Sequence, residues 1–114
     1  MQDWTKLVLN ELSVGNSVRL VGKGNSMYPK IKDREPIIIM PYVHTDKLKE
    51  GDIVFVRINN KFLTHQILNI DNDKFTIGNI KRKIDGIVTI DAIYGFIDIE
   101  MNNESFTGLT VIEE

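Results

Sequence analysis

The sequence predicts a mainly β protein, a compact antiparallel sheet or partly open barrel that follows one short N-terminal helix. The chain has 114 residues, 42% of them hydrophobic, so one domain can bury a sizeable core. Near the amino end, apolar residues recur at helical spacing. Beyond Gly15 they form short runs that end at Gly, Asn, Asp or Pro, which is typical of strands. We therefore expect a single domain over residues 1–114.

The first element is a helix within residues 1–14. Four apolar side chains have helical spacing here: Trp4, Leu7, Val8 and Leu12. Asp3 can cap the first turn, so the helix is expected over residues 3–12. Two roles stay open for it, packing on the body of the domain or docking to a partner or a membrane interface.

Strand-like runs rich in Val, Ile and Phe follow in a β core over residues 18–99. These runs are residues 17–21, 36–40, 52–58, 62–70, 74–78, 87–90 and 94–99. Asn59-Asn60 and residues 71–73 predict tight turns between consecutive strands. The tail, residues 100–114, is polar except for the apolar stretch 109–112, which is either an edge strand or a frayed end.

Composition excludes several classes of function. The 14 basic and 16 acidic residues leave a formal charge of -2, which favours neither nucleic acid nor an acidic membrane surface as a partner. The absence of cysteine excludes disulfides, thiolate metal sites and a Cys nucleophile. The longest apolar run, residues 36–40, is far shorter than the roughly 20 residues of a membrane helix. Since the amino end also lacks a signal-peptide pattern, we expect a cytoplasmic protein with no membrane span.

Motifs for metals, nucleotides and nucleic acids are weak or missing. His44 and His65 lack HxH or HExxH spacing, and there is no GxxxxGK[ST] loop, so neither a metal nor a cofactor is expected. The basic run Lys81-Arg82-Lys83 is either a solvated turn or a contact to nucleic-acid phosphates. One run of this length offers few phosphate contacts, and nucleic acid is not expected as a partner.

Two residues have the chemistry of a nucleophile and a base. Ser26 lies in Gly24-Asn25-Ser26-Met27-Tyr28-Pro29, between a flexible Gly and a rigid Pro. Such a Ser is either an ordinary turn former or a nucleophile whose hydroxyl a base activates. His65 lies inside a strand run, as a half-buried structural residue or as a rigidly held base. His44 lies in a polar, turn-like stretch and is interpreted as a solvated loop residue.

Together these segments resemble the superfamily of type I signal peptidases and LexA-like self-cleaving repressors, over about residues 18–97. Residues 24–29 resemble the G-x-S-M-x-P nucleophile box. Residues 31–39 resemble the strand that follows it, and residues 48–55 resemble the K-x-G-D-I-V-x-F segment. The resemblance implies a β fold of the LexA and signal peptidase type.

The resemblance is closest to the signal peptidases of archaea and the endoplasmic reticulum, which use a His as base. Thr64-His65-Gln66-Ile67 is similar to their H-R-V box, and residues 78–80 with Asp85 are similar to the later G-D-N box and the Asp beyond it. The resemblance implies that Ser26, His65 and Asp85 are catalytic. It also implies that Asn25 and Met27 form or support the oxyanion site.

The implied activity is hydrolysis of an extended peptide or protein segment, with small residues at the cleavage point, through an acyl-enzyme on Ser26. Cleavage in trans is expected rather than self-cleavage, because there is no Ala-Gly or Cys-Gly pair and no preceding helix-turn-helix. Four positions depart from the family pattern: Gln66 for Arg, Asn79 for Asp, and Arg34-Glu35 for Gly-Asp. They leave open a second hypothesis, a catalytically inactive member that binds a peptide or protein or acts as a regulator. The oligomeric state is not predicted.

Overall fold

A computed structural model describes residues 3–41, 48–99 and 103–113 of the chain. Helix α1, Asp3–Ser13, precedes the strands. The strands are β1 (Val18–Val21), β2 (Pro36–Pro41), β3 (Ile53–Ile58), β4 (Lys61–Asp71), β5 (Lys74–Gly78), β6 (Ile84–Val88), β7 (Ile93–Ile97) and β8 (Leu109–Ile112). Short 3-10 helices lie at Ile90–Ala92 and Asn103–Ser105. The prediction of a mainly β protein with one N-terminal helix is confirmed.

The strands form one eight-stranded sheet in the order β6-β5-β4-β3-β7-β2-β1-β8. Neighbouring strands are antiparallel except for β1 and β8, which are parallel, so the sheet is mixed rather than wholly antiparallel. The apolar stretch of the tail is therefore an edge strand and not a frayed end. Within the described ranges the sheet is open, with β6 and β8 at its edges.

Helix α1 packs on the sheet through one face. Val8 and Leu12 are buried, and the Trp4 ring lies 6.4 Å from that of Phe55 in β3. Leu7 is 48% exposed, so it lies at the border of the buried face rather than in it. The helix therefore packs on the body of the domain, which is one of the two roles left open by the sequence.

Strand β4 joins two parts of the sheet. Its first half pairs with β3 as far as Gln66, and its second half pairs with β5 from Gln66 onwards. Side chains of β3 alternate between two buried clusters, because neighbours in a strand point to opposite faces. Phe55 packs in the cluster beneath α1, whereas Val54 packs in the second cluster. Both faces of β3 are thus covered, and Gly86 of β6 lies against Ile58.

The turns are confirmed, and the boundaries of two strands are wrong. Asn59 and Asn60 have φ of 51° and 64°, as a two-residue hairpin turn requires, and Asn72 has φ of 53°. The strand expected at residues 87–90 is instead β6, Ile84–Val88. The predicted strand began only after Asp85 and Gly86, but pairing with β5 through a register irregularity holds both residues in the strand. The strand expected at residues 94–99 is β7, Ile93–Ile97.

Candidate active site

Three contacts hold the loop between β1 and β2, where Ser26 lies. The Met27 side chain is buried in the cluster beneath α1. Gly24, with φ of 110°, donates its backbone N–H to Asp33 Oδ1 at 2.8 Å. The backbone N–H of Ile80 donates to the Ser26 carbonyl oxygen at 3.1 Å. The loop is therefore anchored in the core, in its own second half and in the turn that follows β5.

Ser26 Oγ lies 2.8 Å from Nε2 of His65, although the two residues are 39 positions apart. Strand β4 holds the imidazole, and the His65 side chain is only 12% exposed. At this distance the hydroxyl can donate its hydrogen bond to an unprotonated Nε2. A hydroxyl in that contact is placed for proton transfer to the ring.

The other ring nitrogen of His65 contacts Asp85. Its Nδ1 lies 2.5 Å from Asp85 Oδ2, and β6 carries this carboxylate. When Nδ1–H donates to the carboxylate, Nε2 is left as the acceptor for the Ser26 hydroxyl. Asp52 lies elsewhere, since its carboxylate accepts the backbone N–H of Lys49 at 2.9 Å.

Gln66 and Asn79 hold the turn that leads from β5 to Asp85. The Gln66 side chain is buried, and its Nε2 donates to the Asn79 carbonyl oxygen at 2.8 Å. Asn79 Oδ1 in turn accepts the backbone N–H groups of Lys81 and Lys83, each at 3.0 Å. Gln66 and Asn79, which both depart from the family pattern, therefore form hydrogen bonds that hold the turn between β5 and β6.

Gly78 allows this turn to pack closely. A Cβ at this position would lie 2.6 Å from the Lys83 carbonyl oxygen and would overlap the Leu68 side chain. A larger residue would push the turn away from β4, and with it the start of β6. The basic residues 81–83 lie in this turn and are exposed.

A groove of about 160 Å³ lies beside Ser26 and His65. Apolar and charged side chains line it. They include Trp4, Leu20, Ile31, Ile37, Phe62, Leu63, Lys23, Lys32, Glu35 and Glu113. Four consecutive residues of β4, residues 62–65, line the groove. Since neighbours in a strand point to opposite faces, the groove runs along the edge of that strand.

The structure thus brings together the three residues that the resemblance marks as catalytic: Ser26, His65 and Asp85. Asn25 and Met27 flank the Ser, with Asn25 exposed and its carbonyl oxygen accepting the Tyr28 N–H at 3.1 Å. The catalytic roles of all five residues stay predictions. His44 lies outside the described residues. Within residues 3–41, 48–99 and 103–113, no three His, Asp or Glu side chains are grouped as metal ligands.

A comparison with protein families gives a match over most of the chain. The family model described as Peptidase S24-like matches residues 5–89. The chain belongs to the Peptidase S24-like family. This membership confirms the resemblance to the superfamily of signal peptidase I and LexA-like proteins, whereas the closer likeness to the His-type signal peptidases stays a prediction. A comparison with curated proteins gives no match.

In the parts of this Peptidase S24-like chain that the structure describes, no helix is long and apolar enough to cross a membrane. Sequence reasoning treated Gln66 and Asn79 only as departures and missed their hydrogen bonds. For Asn79 a local signal was present, because an Asn side chain that follows a Gly at the end of a strand often accepts the backbone N–H two residues on. For Gln66 there was none, since its partner lies 13 positions away.

Proposed function

We propose that this Peptidase S24-like protein is a serine endopeptidase that acts through Ser26, His65 and Asp85. The contact of 2.8 Å between Ser26 Oγ and His65 Nε2 is the observation that carries the proposal. A hydroxyl is a weak nucleophile, and an adjacent base that is oriented by a third group activates it. A binding module has no need of this chain of contacts.

In the proposed reaction, His65 Nε2 takes the Ser26 proton as Oγ attacks the carbonyl carbon of the scissile bond. The tetrahedral intermediate collapses, the C–N bond breaks, and the imidazolium returns the proton to the leaving amine. Water then attacks the acyl-enzyme with His65 as base again, which releases the acid and restores the hydroxyl. Asp85 keeps Nδ1 protonated and stabilises the imidazolium.

The oxyanion of the intermediate would be bound by the backbone N–H of Ser26, aided by the Asn25 side chain. Donors that are aimed at the developing charge lower the barrier most when they are held rigidly. Met27 supports this role because its buried side chain fixes the backbone on which both residues lie. The substrate is proposed to be an extended peptide with small residues at the cleavage point.

A free backbone edge supports the binding of an extended peptide. The two-residue turn at Asn59-Asn60 makes Ile58 and Lys61 a hydrogen-bonded pair, and such pairs alternate along an antiparallel ladder. Phe62 and Thr64 therefore direct their backbone N–H and C=O groups away from β3. Among the described residues β5 pairs with β4 only from Gln66 onwards, so this edge has no strand beside it. A peptide strand can add there, in the groove next to Ser26.

Labelling with a serine-reactive acylating probe tests the proposed function. The wild-type protein should be acylated at Ser26, as found by mass spectrometry of its peptides, and Ser26→Ala should not be labelled. Ser13→Ala is the matched control, since the Ser13 hydroxyl is exposed and bonds only locally to the Asn10 carbonyl oxygen. Absence of labelling in the wild type, or equal labelling of Ser26→Ala, would show that the site is inactive.

The cytoplasmic location of the protein stays a prediction.

A further inference from the structure

The groove continues past the candidate active site to the end of the β3–β4 hairpin. A second, larger hollow of about 740 Å³ shares four side chains with the first: Trp4, Phe62, Leu63 and Glu113. Its far wall consists of Arg57, Asn60 and Lys61, which we call the hairpin end of the groove. The two hollows therefore form one continuous path along the free edge of β4.

The hairpin end is positively charged. Arg57 and Lys61 are exposed, and in the described part of the chain neither has a carboxylate within ion-pair distance. Arg57 Nη2 donates to Asn60 Oδ1 at 2.9 Å, which orients the guanidinium beside the hairpin turn. Glu113 is the one acidic residue among the described residues that line this hollow. Two cationic residues and one acidic residue thus line this hollow, in a chain whose formal charge is -2.

The spacing along β4 relates this charge to the scissile bond. Lys61 is the first residue of β4 and precedes His65 in the same strand. Arg57 lies on the neighbouring strand β3, opposite Phe62 of β4. At about 3.3 Å per residue, Lys61 lies on the order of 13 Å from His65 along the strand. A peptide that pairs with the β4 edge advances at the same rise. It therefore places a residue about three or four positions from the scissile bond beside Arg57 and Lys61.

We infer that the preferred substrates carry Asp or Glu about three or four residues from the cleaved bond, recognised by Arg57 and Lys61. This inference rests on the proposed function, since it concerns the peptide that the same groove receives. Cationic side chains at the rim of a groove select oppositely charged partners and speed their encounter. Arg57 can also bind a carboxylate through two N–H groups.

Binding to the Ser26→Ala protein tests the inference without any need for catalysis. Trp4 is the one tryptophan of the chain and lines both hollows, so its fluorescence reports occupancy. The probes are short synthetic peptides with a small-residue centre. In the first set the paired residues lie about three and four positions before the centre, and in the second set they lie about three and four positions after it. Each set has one peptide with paired Asp and one with paired Asn at these positions. In one of the two sets, the Asp peptide should bind about threefold to tenfold more tightly than its Asn counterpart at low salt. The difference should shrink as salt is added.

Charge reversal identifies the residues responsible. In the Ser26→Ala protein, the additional change Lys61→Glu should abolish or invert the preference for Asp peptides. Peptides with paired Lys should bind more tightly to this double variant than to Ser26→Ala alone. Lys74→Glu is the matched control, because Lys74 is also an exposed lysine that opens a strand after a tight turn, but it does not line the groove. It should leave the preference unchanged.

The outcomes separate this inference from the proposed function. Equal affinity for Asp and Asn peptides in both sets, or no saturable binding of any peptide, would overturn the inference, whatever the acylating probe does at Ser26. A preference for Asp peptides that depends on Lys61, in a protein whose Ser26 is not acylated, would support the inference and reject the peptidase.

Discussion

The backbone N–H of Ile80 donates a hydrogen bond to the carbonyl oxygen of Ser26 at 3.1 Å. This bond joins the nucleophile loop to the turn between β5 and β6, which also leads to Asp85. One turn therefore sets the positions of both outer members of the candidate triad relative to His65. Substitutions in this turn should change reactivity at Ser26 without any contact to a substrate.

Asp85→Asn should preserve the shape of the site and remove its negative charge. Loss of the carboxylate leaves the imidazolium without its partner and allows the wrong tautomer of His65. We expect acylation of Ser26 to slow by about two to four orders of magnitude, measured as the rate of probe labelling. Asp52→Asn is the control, because its carboxylate contacts Lys49 and not the imidazole. Equal labelling rates for wild type and Asp85→Asn would reduce the site to Ser26 and His65.

Acylation should decrease towards acid pH, because a protonated imidazole has no lone pair at Nε2 to accept the Ser26 proton. Labelling rates should be measured from about pH 5 to 9, a range that includes the pH at which histidine side chains commonly change charge. The acid limb of this profile should be missing in His65→Ala, whose residual labelling should be slow at every pH. A profile that is flat in the wild type, or unchanged by His65→Ala, would contradict activation by this histidine.

Asn79→Ala should slow labelling of Ser26 by about tenfold, because two backbone N–H groups of the turn lose their acceptor. Asn79→Asp keeps an acceptor oxygen at the same place and should retain most of the rate. If Asn79 acted only on stability, Asn79→Ala would lower the midpoint of urea unfolding. At temperatures where both variants are folded, Asn79→Ala and Asn79→Asp would then be labelled at the same rate. Loss of labelling in both variants would show that the amide, rather than its oxygen, is needed.

Gln66→Leu should lower the free energy of unfolding by about 0.5–1.5 kcal/mol, since the Asn79 carbonyl oxygen loses one of its two donors and keeps the backbone N–H of Arg82 at 2.9 Å. Gln66→Glu should be more destabilised at neutral pH, where a carboxylate would face that carbonyl oxygen. It should recover as the pH falls and the protonated carboxyl can donate in place of the amide. Urea unfolding at several pH values measures both effects. Equal stability of the three proteins would show that this hydrogen bond contributes nothing to the fold.

Strand and turn content were predictable because their signals are local. Runs of Val, Ile and Phe mark most of the strands, and adjacent asparagines mark the β3–β4 turn, since a left-handed backbone favours Asn. The boundaries of β6 were not predictable in this way. Asp85 and Gly86 are turn formers by local preference, and only pairing with β5 holds them in a strand.

The candidate site was predictable only through resemblance to a family. Nothing in the spacing of 39 positions between Ser26 and His65, or of 20 between His65 and Asp85, indicates that they meet. Likewise, Gln66 and Asn79 differ from the family pattern. The hydrogen bond from Gln66 to the Asn79 carbonyl oxygen depends on the pairing of β4 with β5, which brings Gln66 next to the turn after β5.

The sequence by itself determined the residue types available for chemistry, the absence of cysteine and the order of helix, strands and turns, because these follow from composition and from preferences of neighbouring residues. The tertiary structure decided which of these residues meet. Strand β4 pairs with β3 in one half and with β5 in the other. That division brings Asp85 to His65 through β5. In the part of the chain that the structure describes, it also leaves Phe62 and Thr64 without a neighbouring strand on the side away from β3. Such pairing depends on hydrogen bonds between segments far apart in the chain, which local preference does not specify.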